Sequence, residues 1–434
     1  MSLWQKRLIA IGGLLLALPG LLVALAYFCT SLILVVEGDR DAFGVGLTSF
    51  TLMVLTLGAG GVTFWHGWRS LQGWPSKPLW LPPIWLLAAL FGLFVAMGLV
   101  IAAPQPSVTP LGRDVGRLAA LFFPPILLLT ASLPPLMAIS WFVGQKAGGL
   151  TWRRGAVAFA GGATASVFVA VVLEILLPVV FLTLVFGLTG LVRDSLESVF
   201  EALAGQDIAS AITSPGFIYI FVQVAIVAPL AEELAKPLIT LPLVERLARR
   251  DAFLVGAMAG AGFAALENVI FAGFGFYFWA GILLVRALGG AIHPLGSGLV
   301  AVGWRDVRRG EAGAWPRWFA RFGLAAGIHA LWNGGSLLVI TLAGAGFFGK
   351  LPPALNLLGL SAAGTTLALL IILGLAALWL GRAVANQTTL LPAPGDDASQ
   401  PEFTLSDRVI AIWALACLVT IVPAGIAGLQ LLVR

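Results

Sequence analysis

From Leu8 to Val36 the chain runs through 29 residues without a charge, and stretches of this kind recur along its length. This pattern constrains the fold more than any single motif. About 20 apolar residues, rising roughly 1.5 Å each, cross a hydrocarbon core of roughly 30 Å, and a helix satisfies its own backbone hydrogen bonds in lipid. Composition agrees, with 59% of the 434 residues hydrophobic, 10% charged and a mean hydropathy of +1.00. A soluble globular domain is excluded and a multi-pass membrane protein is expected.

Apolar runs read against their breakers predict an all-α, polytopic transmembrane helix bundle of about 11 spans. They start near Leu8, Phe43, Ile84, Leu118, Ala156, Ile208, Ala252, Leu288, Trp318, Leu355 and Val409. The first run follows Lys6 and Arg7 and contains a cleavage-like Ala24-Leu25-Ala26. It exceeds the roughly 7–15 apolar residues of a secretory signal and is read as a retained span. The two cysteines, Cys29 and Cys417, lie within apolar runs, so neither a disulfide framework nor a CxxC metal site is expected.

A net charge of +5 would suit a nucleic-acid partner, but the basic residues sit in short loops and none is expected. With the N-terminus inside, 17 of the 25 basic residues fall in cytoplasmic segments and seven outside, Arg286 among the seven. That bias predicts N-terminus in and C-terminus out. The chain divides into an N-terminal transmembrane region of about four spans (1–150), a core (151–346) and two C-terminal spans (347–434) with a polar cytoplasmic linker at 382–408. The long run from Ala156 contains Glu174 and Pro178, which predicts a kink. After it, Leu196, Val199, Phe200 and Leu203 fall at helical spacing, as in an amphipathic helix on the outer surface.

Four acidic residues fall within spans: Glu174, Glu232, Glu233 and Glu267. An isolated charge at the bilayer centre costs at least about 2.5–3.5 kcal/mol, so each marks a candidate site. Lys236, the one basic residue left inside the membrane, is i,i+4 to Glu232 and i,i+3 to Glu233 in "EELAK". It can neutralise one carboxylate and leave the other for chemistry. The next spans carry Glu267 and Asn268 in "GFAALEN", His293 in "HPLGSG", and His329 and Asn333 on one helix face in "HALWN". The third histidine, His66, lies between tryptophans and is read as interfacial. Depths counted from the span ends put these groups in the central to outer half of the membrane, where they can converge.

These four ordered motifs resemble those of the PrsW family of intramembrane proteases, related to the CAAX prenyl endopeptidases and Abi-type membrane proteins. The resemblance covers about residues 208–346. Phe271 stands where the family often has tyrosine. The resemblance implies an endopeptidase in a plasma membrane of bacterial type that cuts a transmembrane protein or peptide in regulated proteolysis, with Glu232, Glu233, Glu267, His293, His329 and Asn333 as catalytic candidates and Lys236 and Asn268 in support.

Peptide hydrolysis needs an activated water, an oxyanion donor and an acid for the leaving amine, and glutamate, histidine and asparagine can provide all three. In a metal-free version suggested by the CAAX relatives, a glutamate and a histidine hold the water, while Asn333 or the second histidine stabilises the oxyanion. In a zinc version, His293, His329 and Glu267 or Glu233 form a His₂Glu site with an open position. The cofactor therefore stays open between none and zinc. HExxH is absent, and the pairing of His329 with Asn333 tilts the reading slightly towards the metal-free version. "EELAK" alone would suit a polar knot that fixes packing, Asn268 an interhelical hydrogen bond, and Ser297 small-residue packing rather than a serine–histidine dyad. An ion-coupled transporter would use the same residue types, but it should show paired broken helices in two similar halves. A noncatalytic scaffold or immunity-type protein of the same fold is the other alternative.

Overall fold

The computed structural model describes residues 74–101, 119–144, 150–174, 215–274, 279–347 and 353–390, with scattered positions between 50 and 72 and at 178. Within them the architecture is all-helical: α1 (Ile84–Ile101), α2 (Ala119–Val143), α3 (Trp152–Glu174), α4 (Phe217–Thr240), α5 (Arg249–Phe274), α6 (Trp279–Leu288), α7 (Ile292–Arg308), α8 (Ala314–Phe347) and α9 (Pro353–Leu390). Seven of these are long and apolar enough to cross a membrane, and α6 with α7, bent by 43°, makes an eighth when taken as one span. The chain is a multi-pass membrane protein. The expected spans near Leu8 and Val409, the surface helix after Arg193 and the tail of the linker lie outside the described residues, and the span from Phe43 is described only at scattered positions.

Helix α5 is the centre of the bundle, and its sequence shows why. Glycine and alanine dominate it, so neighbouring backbones can approach closely, the means by which helices associate in lipid. A Cβ at Gly260 would collide with the carbonyl oxygen of His293 on α7, and one at Gly262 with that of Phe159 on α3. As a result 89% of its most apolar stretch is buried, against 22% for α9 at the rim.

Two departures from the sequence reading concern α6 and α9. The span expected from Leu288 begins earlier, as the separate helix α6, and turns at Gly289-Gly290 into α7. Glycine is required there because a Cβ at Gly289 would strike the Trp332 ring and one at Gly290 would lie 3.0 Å from Pro134 backbone atoms. Helix α9 continues to Leu390 through the first residues expected as linker. Arg382 anchors this extension by donating to Trp141 O at 3.1 Å and lying 4.5 Å from the Trp141 ring centroid.

The turn from α7 to α8 is set by Gly310 and Gly313, with φ of +67° and +65° that side chains disfavour. Beneath it Asp306 accepts from Arg305 at 3.0 Å, Arg321 at 2.8 Å and Arg249 at 3.3 Å. These bonds tie α5, α7 and α8 at one end of the bundle.

Candidate active site

The site begins with a defect in α4. Residues Gln223–Val227 form a π-helical turn, in which Ala228 N donates five residues back to Gln223 O. The next donor in that register would be residue 229, which is proline and has no N–H, so Val224 O lacks its helical partner. Asn333 of α8 donates its side-chain amide to that oxygen at 3.2 Å. Asn268 does the same for α2, donating at 2.9 Å to Ala131 O, the acceptor that Pro135 cannot serve. Both motif asparagines thus bond carbonyls left open by a proline.

One turn beyond Pro229, α4 presents Glu232, Glu233 and Lys236, all buried. Lys236 Nζ lies 2.8 Å from Glu233 Oε1 and 2.9 Å from Glu232 Oε2, with the Phe263 ring 4.6 Å away. Glu233 fits because residue 296 is glycine, where a Cβ would overlap the carboxylate. His329 Nδ1 stands 3.1 Å from Glu233 Oε1. Since a carboxylate only accepts, this contact places the ring hydrogen on Nδ1 and leaves the Nε2 lone pair pointing away.

His293 of α7 repeats the arrangement in mirror order. Its Nε2 lies 3.0 Å from Glu267 Oε2, which fixes the hydrogen on Nε2 and leaves Nδ1 bare. Glu267 in turn accepts from Arg286 Nη2 at 2.6 Å. Two chains of cation, carboxylate and histidine, Lys236–Glu233–His329 and Arg286–Glu267–His293, therefore approach one point from opposite sides. The two rings sit edge to face, 4.6 Å between centroids.

At that point three buried atoms have no hydrogen-bond partner among the described residues: Glu232 Oε2, His293 Nδ1 and His329 Nε2. Both ring nitrogens lie 3.8 Å from the oxygen, and all three atoms lie within 4.8 Å of one another. Lys236 stands beside the same oxygen but off the hydrogen-bonding direction. Buried polar atoms rarely lack a hydrogen-bond partner, and an ion site is one of the few explanations. Zinc bonds of about 2.0–2.1 Å in tetrahedral geometry separate their ligand atoms by roughly 3.3 Å, so each ring nitrogen needs to close on the Glu232 oxygen by about half an ångström, and no pair of the three by more than about 1.5 Å. Three carboxylates around it, Glu232, Glu233 and Glu267, outnumber the two cations Lys236 and Arg286, which leaves a charge balance that suits a cation.

The sequence candidates thus come together, with one rearrangement. The carboxylate that joins the two histidines is Glu232; Glu267 and Glu233 take the far ring nitrogens. Ser297 is buried against Gly260, with its hydroxyl unpaired among the described residues. Glu174, at the end of α3, is half-buried and close enough to Glu232, Glu267 and Lys236 to interact with their charges. Arg286 is the residue that sequence reasoning misplaced. The basic bias of the loops places it outside, yet it is nearly buried inside the site. Its spacing of seven from His293 across two glycines was a signal, but only the bend turns that spacing into a contact.

The matching of known proteins agrees with this geometry. Residues 151–362 match the family model described as PrsW family intramembrane metalloprotease. No curated protein and no solved structure matches the chain. Every residue of the site lies within the matched segment, and that segment is a PrsW-family intramembrane protease domain.

Proposed function

We propose that the protein is a zinc-dependent intramembrane endopeptidase whose metal is held by Glu232, His293 and His329. The observation that carries this reading is the convergence of three buried donor atoms from three helices, α4, α7 and α8: two histidine nitrogens without a hydrogen-bond partner and a Glu232 oxygen whose one close neighbour is the Lys236 ammonium. It reverses the slight preference for a metal-free mechanism. Lys236, a cation beside the proposed metal, is neutralised by two carboxylates at 2.8 and 2.9 Å. HExxH is unnecessary where three helices supply the ligands that one helix and a later residue supply elsewhere.

When bound, the zinc would polarise the attacking water and the scissile carbonyl. The rest belongs to this chain. Glu233 and Glu267 hold the two histidines by their outer N–H groups and keep the inner lone pairs aimed at one point. Asn333 has one amide hydrogen beyond the bond to Val224 O and sits one turn from His329, where it can donate to the developing oxyanion. Glu174 has no cation paired to its carboxylate among the described residues, and we assign it to carry the proton from water to the leaving amine. The substrate is a membrane protein entering from the bilayer. The orientation is N-terminus in and C-terminus out, in the cell membrane, following the basic bias of the loops.

The test compares neo-N-termini of membrane proteins in cells expressing the wild type or Glu232→Gln, with zinc measured in both purified proteins. Termini near transmembrane spans that require Glu232, together with near-stoichiometric zinc in the wild type, support the proposal. Identical termini in both strains would sink the protease assignment of this site, and zinc-free active protein would sink the metal.

A further inference from the structure

The mechanism so far uses Arg286 only as a neighbour of Glu267, yet its surroundings are built for more. From the short helix α6 it reaches back to α5, where Nη2 donates to Glu267 Oε2 at 2.6 Å and Nε donates to Asn268 Oδ1. Its guanidinium lies 4.7 Å from the Phe271 ring centroid, so the residue at that departure from the family pattern supplies an apolar face for it. Asn268 is itself held by the bond from its amide to Ala131 O at 2.9 Å, in the gap made by Pro135. The elbow after Arg286 has no slack. Gly289 lies against Trp332, Gly290 against Pro134, and a Cβ at Gly374 would meet Leu288 O.

We propose that Arg286 is a positioning residue for the metal centre: through Glu267 it sets the tautomer and orientation of His293, tying that ligand to the frame of α2 and α5. Glu267 Oε2 accepts from both Arg286 and His293, at 2.6 and 3.0 Å, so a displaced guanidinium frees the carboxylate that fixes the ring. Arg286 Nη2 and His293 Nε2 are 3.5 Å apart and both carry hydrogen, so Glu267 is the bridge between them rather than a bystander. The bidentate fork matters, because an ammonium cannot serve Glu267 and Asn268 at the two ends of a planar group. The ladder on His329 differs in origin, since Lys236 lies one turn from Glu233 on the same helix. The ladder on His293 depends on a residue brought across a bend.

This inference rests on the zinc reading above, and its test separates the two. Full-length wild type, Arg286→Gln and Arg286→Lys are purified in detergent and stripped of metal. Zinc affinity is then measured by competition with a chromophoric chelator, the visible spectrum is recorded with Co(II), and thermal unfolding is followed for the metal-free forms. Loss of a partner that orients a metal-bound histidine costs about 10–100-fold in metal affinity. Arg286→Gln should lose that much and shift the Co(II) bands, and Arg286→Lys should recover only part. A purely structural role would lower the unfolding temperature and leave zinc affinity of the folded protein unchanged. If Arg286→Gln does not fold, Arg286→Lys decides: an affinity reduced at least about fivefold supports the proposal, and wild-type affinity overturns it. Zinc-bound wild type with affinity within about twofold in Arg286→Gln refutes the positioning role alone. A wild type that binds no zinc removes the metal centre and this inference with it.

Discussion

At the residue scale the site is defined by which nitrogen of each histidine is left bare. The contacts of His293 Nε2 with Glu267 and of His329 Nδ1 with Glu233 leave Nδ1 and Nε2 facing Glu232. Replacing a facing group therefore differs from replacing an orienting one. Glu232→Gln, His293→Ala and His329→Ala should each abolish cleavage and bound zinc together, whereas Glu267→Gln should weaken zinc binding only by about 10–100-fold. Elemental analysis beside a cleavage assay separates the two classes, and equal zinc loss in all four variants would contradict the geometry. Glu174→Gln should keep full zinc while turnover falls about 10²–10⁴-fold, the usual worth of a proton-transfer group. Unchanged turnover in that variant would remove Glu174 from the mechanism. The presence of these residues was legible because an acidic group in lipid is expensive. Their division of labour was not, because it depends on ångström-scale distances between side chains from different helices.

At the scale of elements, irregular helices carry the chemistry. Pro229 and the π-turn before it open Val224 O, and Asn333 closes it at 3.2 Å. Pro135 opens Ala131 O, and Asn268 closes it at 2.9 Å. A double-mutant cycle tests this coupling directly. Asn333→Ala should destabilise the protein, and in a Pro229→Ala background, where the helix regains its own N–H, the loss should shrink by about 0.6–1.7 kcal/mol. Additive effects on unfolding would show that the two are independent. If Asn333 also serves the oxyanion, the double variant regains stability without regaining turnover. The prolines and asparagines were visible in the sequence, but their pairing joins residues 104 and 133 positions apart and no local pattern announces it.

For the whole molecule, the end of the bundle opposite the elbow is held by charges. The Asp306 carboxylate is fully buried and shared by Arg249, Arg305 and Arg321, with Arg317 at 3.7 Å. Asp306→Ala would leave Arg305, also fully buried, with one acceptor fewer, and breaking such a network costs about 3–5 kcal/mol. Denaturation in mixed micelles should show that loss, and a change under about 1 kcal/mol would mean that the arginines repair themselves through Glu311. The turn at Gly310–Gly313 is the natural reporter of the proposed orientation. A single cysteine at Ala312, in a background lacking Cys29 and Cys417, should be protected from an impermeant thiol reagent in intact cells. Labelling from outside would invert the topology.

What the sequence by itself determined follows from free energies large enough to act locally. Uncharged runs of membrane-spanning length require helices, and carboxylates within them require a function or a partner. On those grounds the all-helical class, the membrane setting and the candidate residues other than Arg286 could be read from the chain. The tertiary structure decided what depends on juxtaposition: that Glu232 rather than Glu267 or Glu233 faces both histidines, that two asparagines fill gaps made by prolines, and that Arg286 turns inward. A bend of 43° between α6 and α7 carries Arg286 from an expected loop into the site. Such a bend arises because glycines allow backbones to meet Trp332 and Pro134, partners distant in the chain. Periodicity records which face of a helix is apolar, but not which neighbour comes to lie against it.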